Sequence, residues 1–155
     1  MQQDAGIWAA GRKAWSERMD ACRSKLDGLG YRFRFKPLLI GGKAMEYYGL
    51  RQAGADIDWV VAAEDHRELV LRFPDNVKDL HGDIGVCVDG LEIWNRICLF
   101  DYDFLKEGCI EVGDICVIHL HKLLFLKALA MRLQKYHRDL ELIVQEVLKR
   151  QYAPS

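Results

Sequence analysis

LLIGGKAMEYYGLRQAGADIDWVV, residues Leu38 to Val61, is the stretch whose reading decides the fold. A short apolar run, Leu38-Leu39-Ile40, breaks at Gly41-Gly42, and Lys43 to Tyr48 reads as a small helix. A loop bearing Gly49, Arg51 and Gln52 follows, and Asp56-Ile57-Asp58 leads into Trp59-Val60-Val61. The order is strand, glycine turn, helix, loop and second strand. Side chains alternate along a strand with period two, so Asp56 and Asp58 share one face. Two carboxylates on one face suit a divalent cation, because Mg²⁺ is held by one or two carboxylates plus substrate phosphates. The competing arrangement has Asp56 capping a turn after Gly54 and Asp58 paired with Arg51 or Arg96. Burying two acids directly before an apolar strand is costly unless cations compensate, which favours the metal.

The glycine pair adds a second element. A Gly-Gly turn after an apolar strand lets the backbone approach a phosphate and present its N–H groups, beside a helix N-terminus that favours negative charge. The spacing is not that of a Walker loop, which needs a four-residue spacer and a Gly-Lys-Ser/Thr ending. Lys43, at the helix start, is either a phosphate ligand or an exposed lysine.

Working outward, residues from about Ala5 to Gly28 read as a helix. Trp8, Trp15, Cys22 and Leu29 recur every seven positions, with Met19 and Leu26 offset, and Gly28 and Gly30 end it. Tyr31 to Ile40 reads as extended, its Tyr31, Phe33 and Phe35 alternating with Arg32, Arg34 and Lys36. That alternation is either a half-buried strand or a stacking platform for single-stranded nucleic acid. After the second strand, Glu64-Asp65 begins a helix with Leu69, Val70 and Phe73 as its apolar face and Pro74 past its end. Asp75 to Asp83 reads as loop. Ile84–Val88 and Leu91–Leu99 are β-rich runs joined by Asp89-Gly90, a strong hairpin signal. Phe100 to Gly108 is a turn or short helix, and Cys109 to Ile118 is a strand pair or one strand bent at Gly113. From His119 the pattern is helical, broken near Tyr136-His137 and resumed over Leu140–Leu148.

The bulk composition excludes several classes. With 155 residues the chain can bury a core without staples, and one domain over 1–155 is expected. Its 22 basic and 23 acidic residues leave no general excess of positive charge for nucleic acid. Five widely spaced cysteines contain no Cys-x-x-Cys pair, which argues against a zinc knuckle and for a reducing, cytoplasmic location. No secretory signal or membrane span is read, since Leu123–Met131 is too short and is interrupted by Lys127.

These residues resemble a known family. Apolar strand, Gly41-Gly42, a short helix ending at Gly49, Arg51 and Ala55-Asp56-Ile57-Asp58 are similar to the nucleotidyltransferase superfamily that includes DNA polymerase β. The small bacterial nucleotidyltransferases, including toxins of abortive-infection toxin–antitoxin pairs, are the nearer likeness. Leu126-Lys127-Ala128, Arg132 and Arg138-Asp139 match the carboxyl-terminal helical part, and the similarity covers roughly Leu26 to Leu148. Lys43 and Ala55 depart from the residues usual at those places.

The resemblance implies an α+β fold, a small mixed sheet backed by helices with helical segments at both ends. It implies transfer of an NMP from an NTP to an acceptor hydroxyl, with release of pyrophosphate. Asp56 and Asp58 would bind two Mg²⁺ ions with a third acid on a neighbouring strand. Glu92 is assigned that place, because Asp89 suits the hairpin turn and Asp101 or Asp103 suits a helix cap. The alternative for Glu92 is a solvent-facing pair with Arg96. Gly41 and Gly42 would shape the phosphate turn, with Lys43, Arg51 or Lys127 offsetting charge. His119 and His121 are read as structural. The acceptor is left open among RNA, a protein hydroxyl and a small molecule, and an antitoxin or a second copy is an expected partner. The alternative function is a non-catalytic binding or regulatory module on the same fold, for example in a toxin–antitoxin system.

Overall fold

The computed structural model describes residues 17–153. It divides after Arg32 into two compact units. In the first, residues 17–27 form helix α1, and a turn carrying Gly28 and Gly30 ends it, Gly30 at φ +68°. Met19, Cys22 and Leu26 are buried and spaced three and four apart, as the apolar stripe requires. Trp8 and Trp15 lie outside the described residues.

The second unit is built on a seven-stranded mixed sheet of order β3-β4-β5-β2-β1-β9-β8. Its strands are β1 (Leu38–Ile40), β2 (Ile57–Val60), β3 (Val77–Leu80), β4 (Asp83–Val88), β5 (Leu91–Trp94), β8 (Ile110–Val112) and β9 (Ile115–Val117). A separate two-stranded hairpin joins β6 (Arg96–Ile97) to β7 (Phe100–Asp101). The helices are α2 (Gly41–Tyr47), α3 (Ala63–Arg72), α4 (Tyr102–Lys106), α5 (Leu120–Leu129) and α6 (His137–Tyr152). β2 runs parallel to β5, and β1 parallel to β9; the other neighbours in the large sheet are antiparallel.

Register explains the core. Val117, Leu39, Trp59, Ile93 and Val86 form one transverse row over five strands, and all are fully buried. Each such side chain contributes about 1.5–3 kcal/mol when removed from water. The next row along, on the opposite face, reads Ile40, Asp58, Glu92 and Cys87. The sheet therefore carries a dry row and a polar row one residue apart.

The Asp89-Gly90 hairpin forms as expected, with both residues at positive φ (50° and 79°), the signature of a type I′ turn. The Cys109–Ile118 segment is a strand pair turning at Gly113-Asp114. Four expectations need correction. Tyr31 to Lys36 is not strand: the backbone amides of Arg34 and Phe35 donate to the buried Asp65 carboxylate at 2.9 and 3.1 Å, and only Leu38–Ile40 enters the sheet. Asp75–Asp83 is not loop, because Val77–Leu80 is an edge strand exposed at every position, so no burial pattern betrays it. Leu91–Leu99 is not one strand. It breaks at Asn95, and Cys98 and Leu99 form a tight turn at φ 49° and 67° whose amides donate to the Asp83 carboxylate at 2.7 and 3.0 Å. Finally, the helical break opens already at Ala130, and α6 spans 137–152 rather than 140–148. Helix α3 turns Asp65, His66 and Leu69 inward, so its buried face is more polar than the expected one.

Candidate functional site

The site forms where the central strands end. Asp58 in β2 has Ile40 as its register partner in β1 and Glu92 as its partner in β5. Partners on adjacent strands project to the same face from backbones about 4.8 Å apart, so the two carboxylates meet. Burial pushes the Asp58 carboxyl up to about 7, helped by a hydrogen bond to Glu92 and the charges of Glu92 and Asp56; only Lys127 opposes this. Two ionised carboxylates are both acceptors, so such contact requires a proton or a cation between them. Asp58 Oδ1 is buried and has no hydrogen-bond partner.

Gly41 belongs to the same corner. It stands at φ +65°, and a Cβ there would lie 2.5 Å from Asp58 Oδ2. Glycine is required for both reasons.

Asp58 and Glu92 open onto a cleft of about 470 Å³. Gly41, Asp56, Lys78, Trp94, Lys127, Lys135 and Tyr136 line it too. Asp56 precedes β2 and is exposed at the rim. Among the described residues no three His, Cys, Asp or Glu side chains converge on one point. The donor set nonetheless fits a hard divalent cation: oxygens only, one of them buried and unpartnered, and a like-charged neighbour in contact.

Arg51 and Lys127 meet elsewhere. Arg51 donates to Asp139 through Nε at 2.6 Å and Nη2 at 2.9 Å, a bidentate clasp, and through Nη1 to Gln52 O at 3.0 Å. Lys127 Nζ lies 2.9 Å from Oδ2 of that carboxylate, the oxygen that also accepts from Arg51 Nη2, and sits 4.6 Å from the Tyr136 ring centre. Burial would raise the Asp139 carboxyl, but the hydrogen bonds from Arg51 and Lys127 outweigh it and hold the group below its usual range. A Cβ added at Gly42 would lie 3.6 Å from the Arg51 guanidinium, and Lys43 pairs with Glu46 at 3.5 Å.

The salt-bridge arrangements do not form among the described residues, since Arg51 is taken by Asp139 and Arg96 Nε donates to Gly82 O at 3.1 Å. Asp89 is in the hairpin turn, and Asp101 caps α4 by accepting from Phe104 N at 3.0 Å. Arg138 points away and pairs with Glu141 at 3.2 Å. Sequence reasoning missed two residues. Asp139 was noted only as part of a likeness, although a buried acid opposite two cations marks it as a charge hub. Lys78 escaped because β3 was read as loop.

No family model, curated protein or solved structure matches the chain. Among the described residues no helix is long and apolar enough to cross a membrane.

Proposed function

We propose that the chain is a metal-dependent nucleotidyltransferase that moves an NMP from an NTP to an acceptor hydroxyl and releases pyrophosphate. One observation carries this reading: Asp58 and Glu92 in register on parallel strands, in contact, with Asp58 Oδ1 buried and unpartnered. A protein gains nothing in stability from such a pair, so it is reserved for something that arrives from outside.

Asp56, Asp58 and Glu92 would hold two Mg²⁺ ions, which when bound neutralise phosphate charge and activate the attacking hydroxyl. The chain's own groups do the rest. Gly41 leaves the space into which the Asp58 carboxylate projects, which any side chain there would displace. Lys127, steered by Asp139 and the Tyr136 ring, keeps its ammonium at the cleft wall, where it favours the anionic form of Asp58 and meets phosphate. Loading requires Asp58 to give up the proton that burial and Glu92 let it keep.

Calorimetric titration of NTP with Mg²⁺ tests this. Binding that needs the metal and is lost in the Asp56→Ala, Asp58→Ala double variant supports the reading. A folded wild type that binds no NTP at millimolar concentration would replace it with the non-catalytic module, which the exposed, unconverged Asp56 favours.

A further inference from the structure

A second cleft lies away from the acid pair, at the β8–β9 side of the sheet. It has a volume of about 530 Å³, and both Cys109 and Cys116 line it. In the β8–β9 ladder Glu111 pairs with Cys116 and Ile110 with Val117, so Cys109 is the diagonal neighbour of Cys116 on the same face. Their thiols are within hydrogen-bonding reach of each other. Cys109 is half-buried and reachable from the cleft, whereas Cys116 is only 2% exposed. Arg34, Lys36, Lys106, Glu107 and Glu111 also line the cleft; Lys36 pairs with Glu111 at 3.4 Å and Glu107 faces Lys122 at 3.9 Å, so among the described residues Arg34 and Lys106 have no carboxylate ion-pair partner.

We propose that Cys109 and Cys116 form a reactive dithiol that a small, carboxylate-bearing disulfide converts to an intramolecular disulfide. The step balances. Cys109, as thiolate, attacks one sulfur of the small disulfide; the S–S bond breaks, a mixed disulfide forms, and the first small thiol leaves. Cys116 then loses its proton to solvent and attacks Cys109 Sγ, closing the protein disulfide and expelling the second small thiol. Two electrons pass from the cysteine sulfurs to the small disulfide, and the two thiol protons end on its two halves.

The order of attack follows from the surroundings. Burial, then the hydrogen bond and charge of Cys109, push the Cys116 thiol up to about 12, so it is not the first nucleophile. Capping Cys109 as a mixed disulfide removes its hydrogen bond and its charge, while burial and Glu111 still oppose the Cys116 thiolate and Lys36 favours it. The first step therefore primes the second. Arg34 and Lys106, the latter over the Tyr102 ring at 5.0 Å, have no carboxylate partner among the described residues, which explains why the oxidant carries carboxylates.

The test treats the reduced, full-length protein with oxidised glutathione and reads intact mass and a peptide map. A Cys98→Ser background removes the one cysteine that is fully exposed. The expected product has lost two hydrogens, carries no glutathione and links the Cys109 and Cys116 peptides. Cys116→Ser should stop with one glutathione on Cys109, and Cys109→Ser should leave Cys116 as a free thiol. Cystamine, whose ends are cationic, should react several-fold more slowly. A link to Cys22 or Cys87, a link between two chains, a stable glutathione adduct in the protein with both thiols, or no reaction at Cys109 would each overturn the proposal. The wild-type map decides the matter even where a serine variant fails to fold.

Discussion

Two buried charge clusters lie on either side of Lys127, and they are built on opposite principles. Around Asp139 every charge is answered: a bidentate Arg51, an ammonium from Lys127 and an aromatic face from Tyr136. Around Asp58 the charges are left open, with acid against acid and one oxygen without a partner. The first cluster is a strut and the second a socket. A closed ionic network costs its desolvation once and holds geometry, whereas an open one keeps its cost until a ligand offsets it.

Removing the strut should produce the largest effect. Asp139→Ala leaves Arg51 and Lys127 partly buried without their anion and is expected to destabilise the fold by about 3–5 kcal/mol, measured by urea unfolding. A loss below about 1 kcal/mol would mean that the cluster is solvated and that the contrast fails.

Gly41→Ala comes next. It forces a side chain into φ +65° and into Asp58 Oδ2, so a loss of roughly 2–3 kcal/mol is expected, with metal-dependent NTP binding abolished. Retained binding would separate Gly41 from the site.

Asp58→Asn has the opposite sign. The folded carboxyl titrates at about 7, above its unfolded value near 3.8. Between those values the native state holds a proton that the unfolded state lacks, so stability without metal falls as pH rises through that window and stays low above it. In chelator at pH 8 the variant should therefore be more stable than wild type by about 1–2 kcal/mol, visible as a Tm raised by a few degrees. Asp139 runs the other way: its carboxyl is depressed, so its contribution is full above the unfolded value and is lost as pH falls through the folded one. Stability profiles of Asp58→Asn and Asp139→Asn should diverge from wild type at opposite ends of the acid range. Parallel profiles would erase the distinction.

Lys43→Ala should do least. Its pair with Glu46 is three residues apart on a short helix, and a change within about 0.5 kcal/mol is expected. A tenfold loss of NTP affinity, about 1.4 kcal/mol, would return Lys43 to the phosphate side of the cleft.

Much of this was legible along the chain, and unevenly so. The β1–α2–β2 order was readable because its apolar runs and the Gly41-Gly42 break are local, although Gly41-Gly42 open the helix itself and Asp56 falls just outside β2. Glu92 could be chosen by elimination, since Asp89 and Asp101 had local jobs in a turn and a cap that the structure bears out. The edge strand Val77–Leu80 could not be read, because all four of its residues are exposed, which leaves no alternation of burial. Nor could the irregular path of Tyr31–Lys36, whose amides answer to Asp65, some thirty residues away in sequence.

By itself, then, the sequence determined the strand–helix–strand core and the Asp89-Gly90 hairpin, since each follows from period, propensity and backbone sterics over a few residues; the face expected to be shared by Asp56 and Asp58 does not follow, because β2 begins only at Ile57. Only the tertiary structure decided that Glu92 stands beside Asp58 and that Arg51 and Lys127 share Asp139. It also decided that Asp56 waits at the rim. Register between β2 and β5 and the packing of α5 and α6 join residues up to 88 positions apart. Charge complementarity over that separation is settled by folding: Arg138, next to Asp139 in sequence, pairs with Glu141, while Arg51 and Lys127 reach Asp139 from afar.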